Sequence, residues 1–235
     1  MTEKEWLKIG SKWETSSSKR LLLFPALDLI MGNVSGKKIL DAGCGDGVFV
    51  RRCIEKGANA TGIDISADAI EVCKEKDKKG KYFEGDIKKI SLNKKFDYIL
   101  SSFVLLSFDK KEEIIKAIKN MSSLINKNGK LIIAVPHPAF DNINENMDTM
   151  TREFFEEYSY SKKGLKTLYK HKTKNFTLLD FHWMIEDYVE CIKKSGLVIE
   201  DIKEPIPKKE SKKENPKLYE GRIKFPPMII FVCKF

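Results

Sequence analysis

The chain of 235 residues has no run of about 18 apolar residues, so nothing in it reads as a membrane-spanning helix. Its opening stretch, Met1 to Gly10, mixes acids and bases and lacks the apolar segment of a secretory signal; the expectation is a cytoplasmic protein. Cysteine is sparse and dispersed. Cys44, Cys53, Cys73, Cys191 and Cys233 form no Cys-x-x-Cys pair and no cluster with histidine at zinc-ligand spacing. No metal site is expected, and an odd, scattered set fits reduced thiols. Histidine is scarcer still. His137, His171 and His182 are the whole supply, so any proton shuttle working near neutral pH has three places to sit. Internal repeats and low-complexity blocks are missing too.

What is present is lysine, spread along the chain, and a net charge of +9. A polyanionic partner such as RNA is one reading of that charge. The densest runs, Lys74–Lys81 and Lys208–Lys213, are broken by acids, which favours a solvated basic surface over a nucleic-acid site. Hydrophobic residues make up 42% of the chain, enough to bury one substantial core.

The apolar pattern predicts helices over Lys4–Trp13 and Ser18–Met31. A regular alternation follows: strand Lys38–Ala42, glycine loop 43–47, helix Val48–Lys56, strand Ala58–Ile63, helix Ser66–Lys76, strand Lys81–Glu84. Next come strand Asp97–Ser101, helix Lys110–Ile125, a turn at Asn128-Gly129 and strand Lys130–Val135. Strands alternating with helices imply a parallel sheet covered on both faces. Residues 139–180 lose the rhythm and read as an inserted cap, helical in part. A helix at Ile185–Ser195, a strand at Leu197–Lys203, a polar loop at Pro205–Arg222 and a strand at Met228–Phe235 close the chain. Two strands joined without a helix should run antiparallel, which makes the sheet mixed.

The strongest local signal is Ile39-Leu-Asp-Ala-Gly-Cys-Gly-Asp-Gly-Val48. A buried strand feeds a loop with Gly43, Gly45 and Gly47 at alternate positions, and the loop feeds a helix whose free amides face the crevice. Dinucleotide sites space their glycines as G-x-G-x-x-G; here the third glycine comes one residue too early. Asp41, ahead of the loop, suits an ammonium or sulfonium better than a pyrophosphate, or else caps the loop amides. Asp64 ends the second strand, where an acid can accept two ribose hydroxyls or start the next helix. Asp86 follows the third strand, placed to accept from an exocyclic amine, with Ile65 and Ile87 flanking a ring.

Taken in order, Asp41-Ala-Gly-Cys-Gly-Asp-Gly47, Asp64, Gly85-Asp86, Phe96-Asp-Tyr-Ile-Leu-Ser-Ser102 and Leu124-Ile-Asn-Lys-Asn-Gly-Lys-Leu131 resemble the successive motifs of class I S-adenosylmethionine-dependent methyltransferases. The resemblance covers about residues 37–138. It implies a Rossmann-like α/β fold, with a seven-stranded mixed sheet, parallel except for a reversed last strand. It also implies S-adenosylmethionine as cofactor. By position, Gly43, Cys44, Gly45 and Gly47 would line the methionine part with Asp41, and Asp64 would hold the ribose. Asp86 with Ile87 would hold the adenine, and Ser101, Ser102 and Phe103 would close the site. On this reading 1–235 is a single domain: N-terminal helices in 1–36, a cofactor-binding core in 37–138, a cap in 139–182, and a helix with an antiparallel strand pair in 183–235.

Methyl transfer from a sulfonium is an in-line displacement, so the protein supplies alignment and water exclusion, plus a base only where the nucleophile must lose a proton. The segment after the fourth strand, Ser101-Ser-Phe-Val-Leu-Leu106, lacks the Asn/Asp-Pro-Pro-Tyr/Phe of relatives that methylate planar amines. The histidine many small-molecule relatives carry near its end is Leu106-Ser107 here. Val135-Pro-His-Pro-Ala139 and Phe181-His-Trp183 resemble a small-molecule subgroup, which makes His137 and His182 the candidate catalytic residues. Their alternatives are a rigid turn histidine and a histidine bonded to the cap backbone, and His171 reads as a solvated cap residue. Phe154, Phe155, Tyr158, Tyr160, Phe176, Phe181 and Trp183 would line an acceptor pocket or form the cap's own core, and Trp13 would cover the cofactor or join the core. The expected partner is a small-molecule methyl acceptor. The alternatives are an RNA or protein methyltransferase, or a non-catalytic cofactor-binding protein.

Overall fold

Apolar runs bounded by turn residues become the strands of the main sheet: β1 (Lys38–Ala42), β2 (Asn59–Asp64), β3 (Lys81–Glu84), β4 (Phe96–Ser102), β5 (Ile125–Pro136), β9 (Val198–Lys203) and β10 (Met228–Lys234). The computed structural model describes residues 16–144, 147 and 149–235. The helix expected over Lys4–Trp13, and the placement of Trp13, lie outside them. The strand order is β3-β2-β1-β4-β5-β10-β9. Pairing is parallel from β3 through β5, and β10 is antiparallel to both β5 and β9. The last strand is therefore the reversed one, as the resemblance implies, with β9 outside it at the edge.

Period-two alternation sorts the strand side chains between two cores. Ile39, Leu100, Ile132 and Ile230 face the helices α1 (Phe24–Met31), α2 (Val48–Glu55) and α3 (Ala67–Lys76). Their neighbours Leu40, Ile99, Ile133 and Phe231 face α4 (Lys111–Ser122) and α5 (Ile185–Lys194). Each such side chain, fully buried, contributes about 1.5–3 kcal/mol. Ser66 caps α3 by accepting from the Ala69 amide at 3.3 Å. The segment ahead of α1 departs from the helix expected there. Lys19–Leu23 is a π-turn in which the Phe24 amide reaches back to the Lys19 carbonyl. Pro25 at the start of α1 has no amide to continue the ordinary ladder, which accounts for the local widening.

Three expectations are corrected. Among its described residues the cap is built on strands, with only the short 3-10 turn Pro138–Phe140 at its start: β6 (Met150–Phe154), β7 (Leu165–His171) and β8 (Thr177–His182) form an antiparallel three-stranded sheet. The polar stretch Pro205–Arg222 is not all loop, because α6 (Pro216–Lys224) starts within it, capped by the Asn215 side chain on the Leu218 amide at 3.0 Å. The connection from β9 to β10 thus contains a helix, yet it leaves and re-enters at the same edge of the sheet, so β10 still runs backwards. Asn128-Gly129, expected as a turn leading into the fifth strand, lies inside β5, in the out-of-register segment opposite the Phe96-to-Tyr98 stretch of β4.

Candidate functional site

The carboxyl ends of β1, β2 and β4 converge on the glycine loop. Gly43, Gly45 and Gly47 all adopt positive φ. A Cβ on Gly43 would lie 2.3 Å from Val104 Cγ2, so both backbone angle and space demand glycine there. The loop is pinned onto β2. The amides of Gly43 and Cys44 donate to the Ile63 carbonyl at 2.7 and 2.9 Å, and the Gly45 amide donates to Asp64 Oδ2 at 2.8 Å. Asp64 Oδ1 accepts from the Ser66 amide at 3.0 Å. Asp64 is therefore not the cap of α3, which is Ser66; it binds the loop and retains a lone pair on each oxygen. Burial raises its pKa against the pull of those amides.

Asp41 lies behind the loop at 3% exposure. Its Oδ1 has no hydrogen-bond partner among the described residues, and burial pushes its carboxyl up to about 7. The loop amides go to Ile63, Asp64 and Cys44 instead, so capping the loop is not its role. The Cys44 thiol sits in the same wall. A hydrogen bond with Cys73 and burial hold it protonated.

Asp86 is half-buried; its Oδ1 accepts from the Lys88 amide at 2.8 Å, and Oδ2 lies 4.0 Å from Lys88 Nζ. Ile87 is buried in the core shared with α4, with its carbonyl bonded by Asn120 Nδ2 at 2.9 Å, whereas Ile65 is half-buried. Ser101 and Ser102 are buried, and Ser101 Oγ has no partner among the described residues. Phe103, at the end of β4, is the one non-glycine described residue with positive φ, 58°. A left-handed bulky residue stores roughly 1–2 kcal/mol of strain, and it turns this side chain toward the crevice.

Beyond Phe103 a cavity of about 400 Å³ opens between the sheet edge and the cap. Its floor is Phe103, Leu106, Pro136 and His137; its roof is Phe140, Met150, Arg152, Tyr169, Leu178 and Asp180. Ser16 to Lys19, His171 and Lys174 also line it. His137 is buried, with Nε2 2.6 Å from Glu204 Oε1 and Nδ1 without a partner among the described residues. His182 lies elsewhere. Its Nδ1 meets Asp141 Oδ2 at 2.6 Å and its Nε2 meets the Tyr160 carbonyl at 2.8 Å. Burial opposes its charge, but the Asp141 carboxylate and that carbonyl outweigh it and raise the pKa. With two acceptors at its two nitrogens, His182 has no lone pair left for a substrate. Of the predicted aromatic cluster only Phe176 lines the cavity. The Phe154 and Tyr158 rings meet at a tilt of 43° with centroids 4.7 Å apart, and Trp183 joins the main core while donating to the Phe108 carbonyl at 3.0 Å.

Sequence reasoning missed Arg152, Tyr169, Asp180 and Glu204. Alternation offered a signal for two of them. In Leu165–His171, residues Leu165, Thr167 and Tyr169 are buried and Lys166 is exposed, and Leu178, Asp180 and His182 share the inward face of β8. Glu204 offered none, since it reaches His137 across 67 residues.

A family model described as methyltransferase domain matches residues 33–219. Among curated relatives, the malonyl-[acyl-carrier protein] O-methyltransferase of Pectobacterium atrosepticum is 38% identical over 78 residues, 33% of this chain and 28% of that one. The ubiquinone biosynthesis O-methyltransferase of Nitrosomonas europaea is 33% identical over 69 residues, 29% of each. The matches thus span less than a third of these relatives. Among solved structures, an S-adenosylmethionine-dependent methyltransferase from Mesorhizobium loti superposes with TM-score 0.67 at 20% identity, covering 90% of this chain and 97% of that one. The CcbJ methyltransferase of Streptomyces caelestis gives 0.69 at 12% identity, covering 100% and 99%. At such identities these structures share the fold.

Proposed function

The chain belongs to the family of methyltransferase domains, and on that premise we propose that it transfers a methyl group from S-adenosylmethionine to a small-molecule acceptor. The observation that carries the reading is Asp41, a buried carboxylate with an open oxygen beside a loop of left-handed glycines. An ammonium group satisfies that oxygen, and the glycines leave backbone rather than side chain facing it. A pyrophosphate would meet Asp41, Asp64 and Asp86 as like charges. The residues fit S-adenosylmethionine on these grounds. Asp41 with Gly43, Cys44, Gly45 and Gly47 would hold its methionine part, Asp64 the ribose, Asp86 with Ile65 and Ile87 the adenine, and Ser101, Ser102 and Phe103 the side nearest the acceptor.

When bound, the cofactor supplies a methyl group already activated as a sulfonium. The chain's own work is alignment, exclusion of water and proton removal. Phe103 and His137 line the cavity where an acceptor would meet the crevice. With Nε2–H donating to Glu204, His137 Nδ1 keeps a lone pair and can take the proton of a hydroxyl nucleophile. Glu204 fixes that tautomer. His182, with both nitrogens engaged, is not proposed for this step. A cavity of about 400 Å³ favours a small molecule over a polymer. Two of the relatives described above are O-methyltransferases by name, which supports oxygen as the atom methylated.

Calorimetry tests the reading. The protein should bind S-adenosylmethionine and S-adenosylhomocysteine at micromolar concentration or tighter and NAD far more weakly. Asp64→Ala should weaken both sulfur ligands by about 2–3 kcal/mol, having lost a charged acceptor in a partly dry site. No heat with either sulfur ligand at high protein concentration refutes it.

A further inference from the structure

The cap wall of the cavity carries a carboxylate that the described residues leave unsatisfied. Asp180, on β8, is 5% exposed and lines the cavity. Its Oδ1 is sealed from solvent without a partner, and neither of its oxygens takes part in a hydrogen bond among the described residues. The nearby cations Arg152 and His182 turn to Asp141, and Arg152 Nε makes no hydrogen bond among the described residues. Arg152 Nη1 bonds the Asp141 carbonyl and lies 3.0 Å from its Oδ1, and His182 Nδ1 lies 2.6 Å from its Oδ2. Arg152 stays beyond ion-pair distance of Asp180, with its guanidinium 4.7 Å from the centre of the Tyr169 ring. Burial lifts the Asp180 carboxyl to about 7, with Arg152 acting against that rise. A buried carboxylate without a partner costs several kcal/mol, so Asp180 does nothing for the stability of the cap that an apolar residue would not do better. Its position makes sense if a donor arrives with a ligand.

The surroundings select the donor. An ammonium would meet the Arg152 guanidinium, which already acts on Asp180 from the same wall, and would be repelled. An uncharged hydroxyl escapes that repulsion and still donates to Asp180. Phe103, Phe140, Met150 and Leu178 supply apolar contact for the rest of the molecule. We propose that Asp180 is the residue by which the cap recognises the methyl acceptor, and that this acceptor is a largely apolar small molecule with an uncharged hydroxyl remote from the methylated atom. The inference rests on the methyltransferase reading for the identity of the ligand as acceptor, though not for the binding itself.

The test uses the full chain with matched probes: 2-naphthol, 2-methoxynaphthalene and 2-naphthylmethylammonium, and the corresponding alcohol, ether and ammonium of indane. Affinities are read by ligand-observed NMR, with and without saturating S-adenosylhomocysteine. The alcohols should bind the unaltered protein about ten-fold tighter than the ethers and the ammonium compounds, the worth of one hydrogen bond to a charged acceptor. Asp180→Leu should erase the preference, and Asp180→Asn, which keeps the shape and a weaker acceptor, should reduce it; the asparagine variant decides the matter if the leucine variant fails to fold. Equal binding of alcohol and ether, tightest binding of the ammonium, no binding of any alcohol, or a preference unchanged in the asparagine variant overturns the proposal. Failure of S-adenosylhomocysteine to bind the same samples refutes the methyltransferase reading instead, and the alcohol preference is then judged without it.

Discussion

Replacing Asp41 by asparagine should make the cofactor-free protein more stable and its hold on the cofactor weaker. Burial lifts the folded carboxyl from 3.8 to about 7. Ionised, it therefore costs the folded chain about 4 kcal/mol relative to the unfolded one, an upper figure because local relaxation relieves part of it. The sign follows from proton binding. Between about pH 4 and pH 7 the folded chain holds a proton on Asp41 that the unfolded chain has released, so stability falls as pH rises through that window. Below it the term vanishes, and above it the cost is complete. Asparagine has the same shape and no charge, so the variant escapes the whole term. Urea melts without cofactor should then show a gain over the unaltered protein of less than 2 kcal/mol at pH 5 and about 4 kcal/mol at pH 8. In calorimetry at pH 8 the variant should bind S-adenosylmethionine at least ten-fold more weakly, because a neutral amide replaces the charge opposite the ammonium. Asparagine that destabilises the chain equally at both pH values refutes the reasoning, since Asp41 would then be a structural acceptor.

Two further predictions concern the histidines. His137→Ala should lower turnover ten-fold or more while cofactor affinity stays within about two-fold; Glu204→Gln, which keeps a partner for Nε2, should cost less, and full activity in His137→Ala would sink the assignment. His182→Asn should lower stability and leave turnover per folded molecule intact. Because the folded pKa of His182 is raised, its bond to Asp141 stabilises the chain fully below the unfolded value of about 6.5 and less as pH rises through the folded one. The gap between the two melts should therefore narrow at alkaline pH, and a gap that widens there contradicts it.

Physical causes separate what the sequence revealed from what it hid. The core strands were legible because parallel strands buried on both faces leave continuous apolar runs such as Lys130–Val135 between turn residues. The loop was legible because its glycines answer a backbone demand that is local. The cap was misread because its inward face is polar. Arg152, Thr167, Asp180 and His182 occupy positions where an apolar residue would have marked a strand, and the outward Leu168 blurred the alternation further. The start of α6 carried the Asn-Pro signature of a helix N-terminus, but the charged stretch before it hid the helix. His137 was singled out by its place after a strand, whereas Glu204 and the Asp141–His182–Arg152 cluster exist only through long-range folding.

The position of β10 also orders events in time. It comes last among the described strands, yet it lies between β5 and β9, and among the described residues β9 pairs with no other strand. A chain emerging from the ribosome can assemble β1 to β5 early. The edge of β5 then stays open, and β9 has no ladder to join, until Met228–Lys234 arrives. The same strand sets its first residue opposite Pro136 and brings the Pro227 carbonyl to the His137 amide at 3.2 Å, while Glu204 follows directly on β9. The His137–Glu204 pair is thus among the last contacts to form, so a nascent chain would gain the proposed base only after the strands proposed to hold the cofactor. On that proposal, synthesis itself would keep the binding of a reactive methyl donor ahead of the ability to spend it.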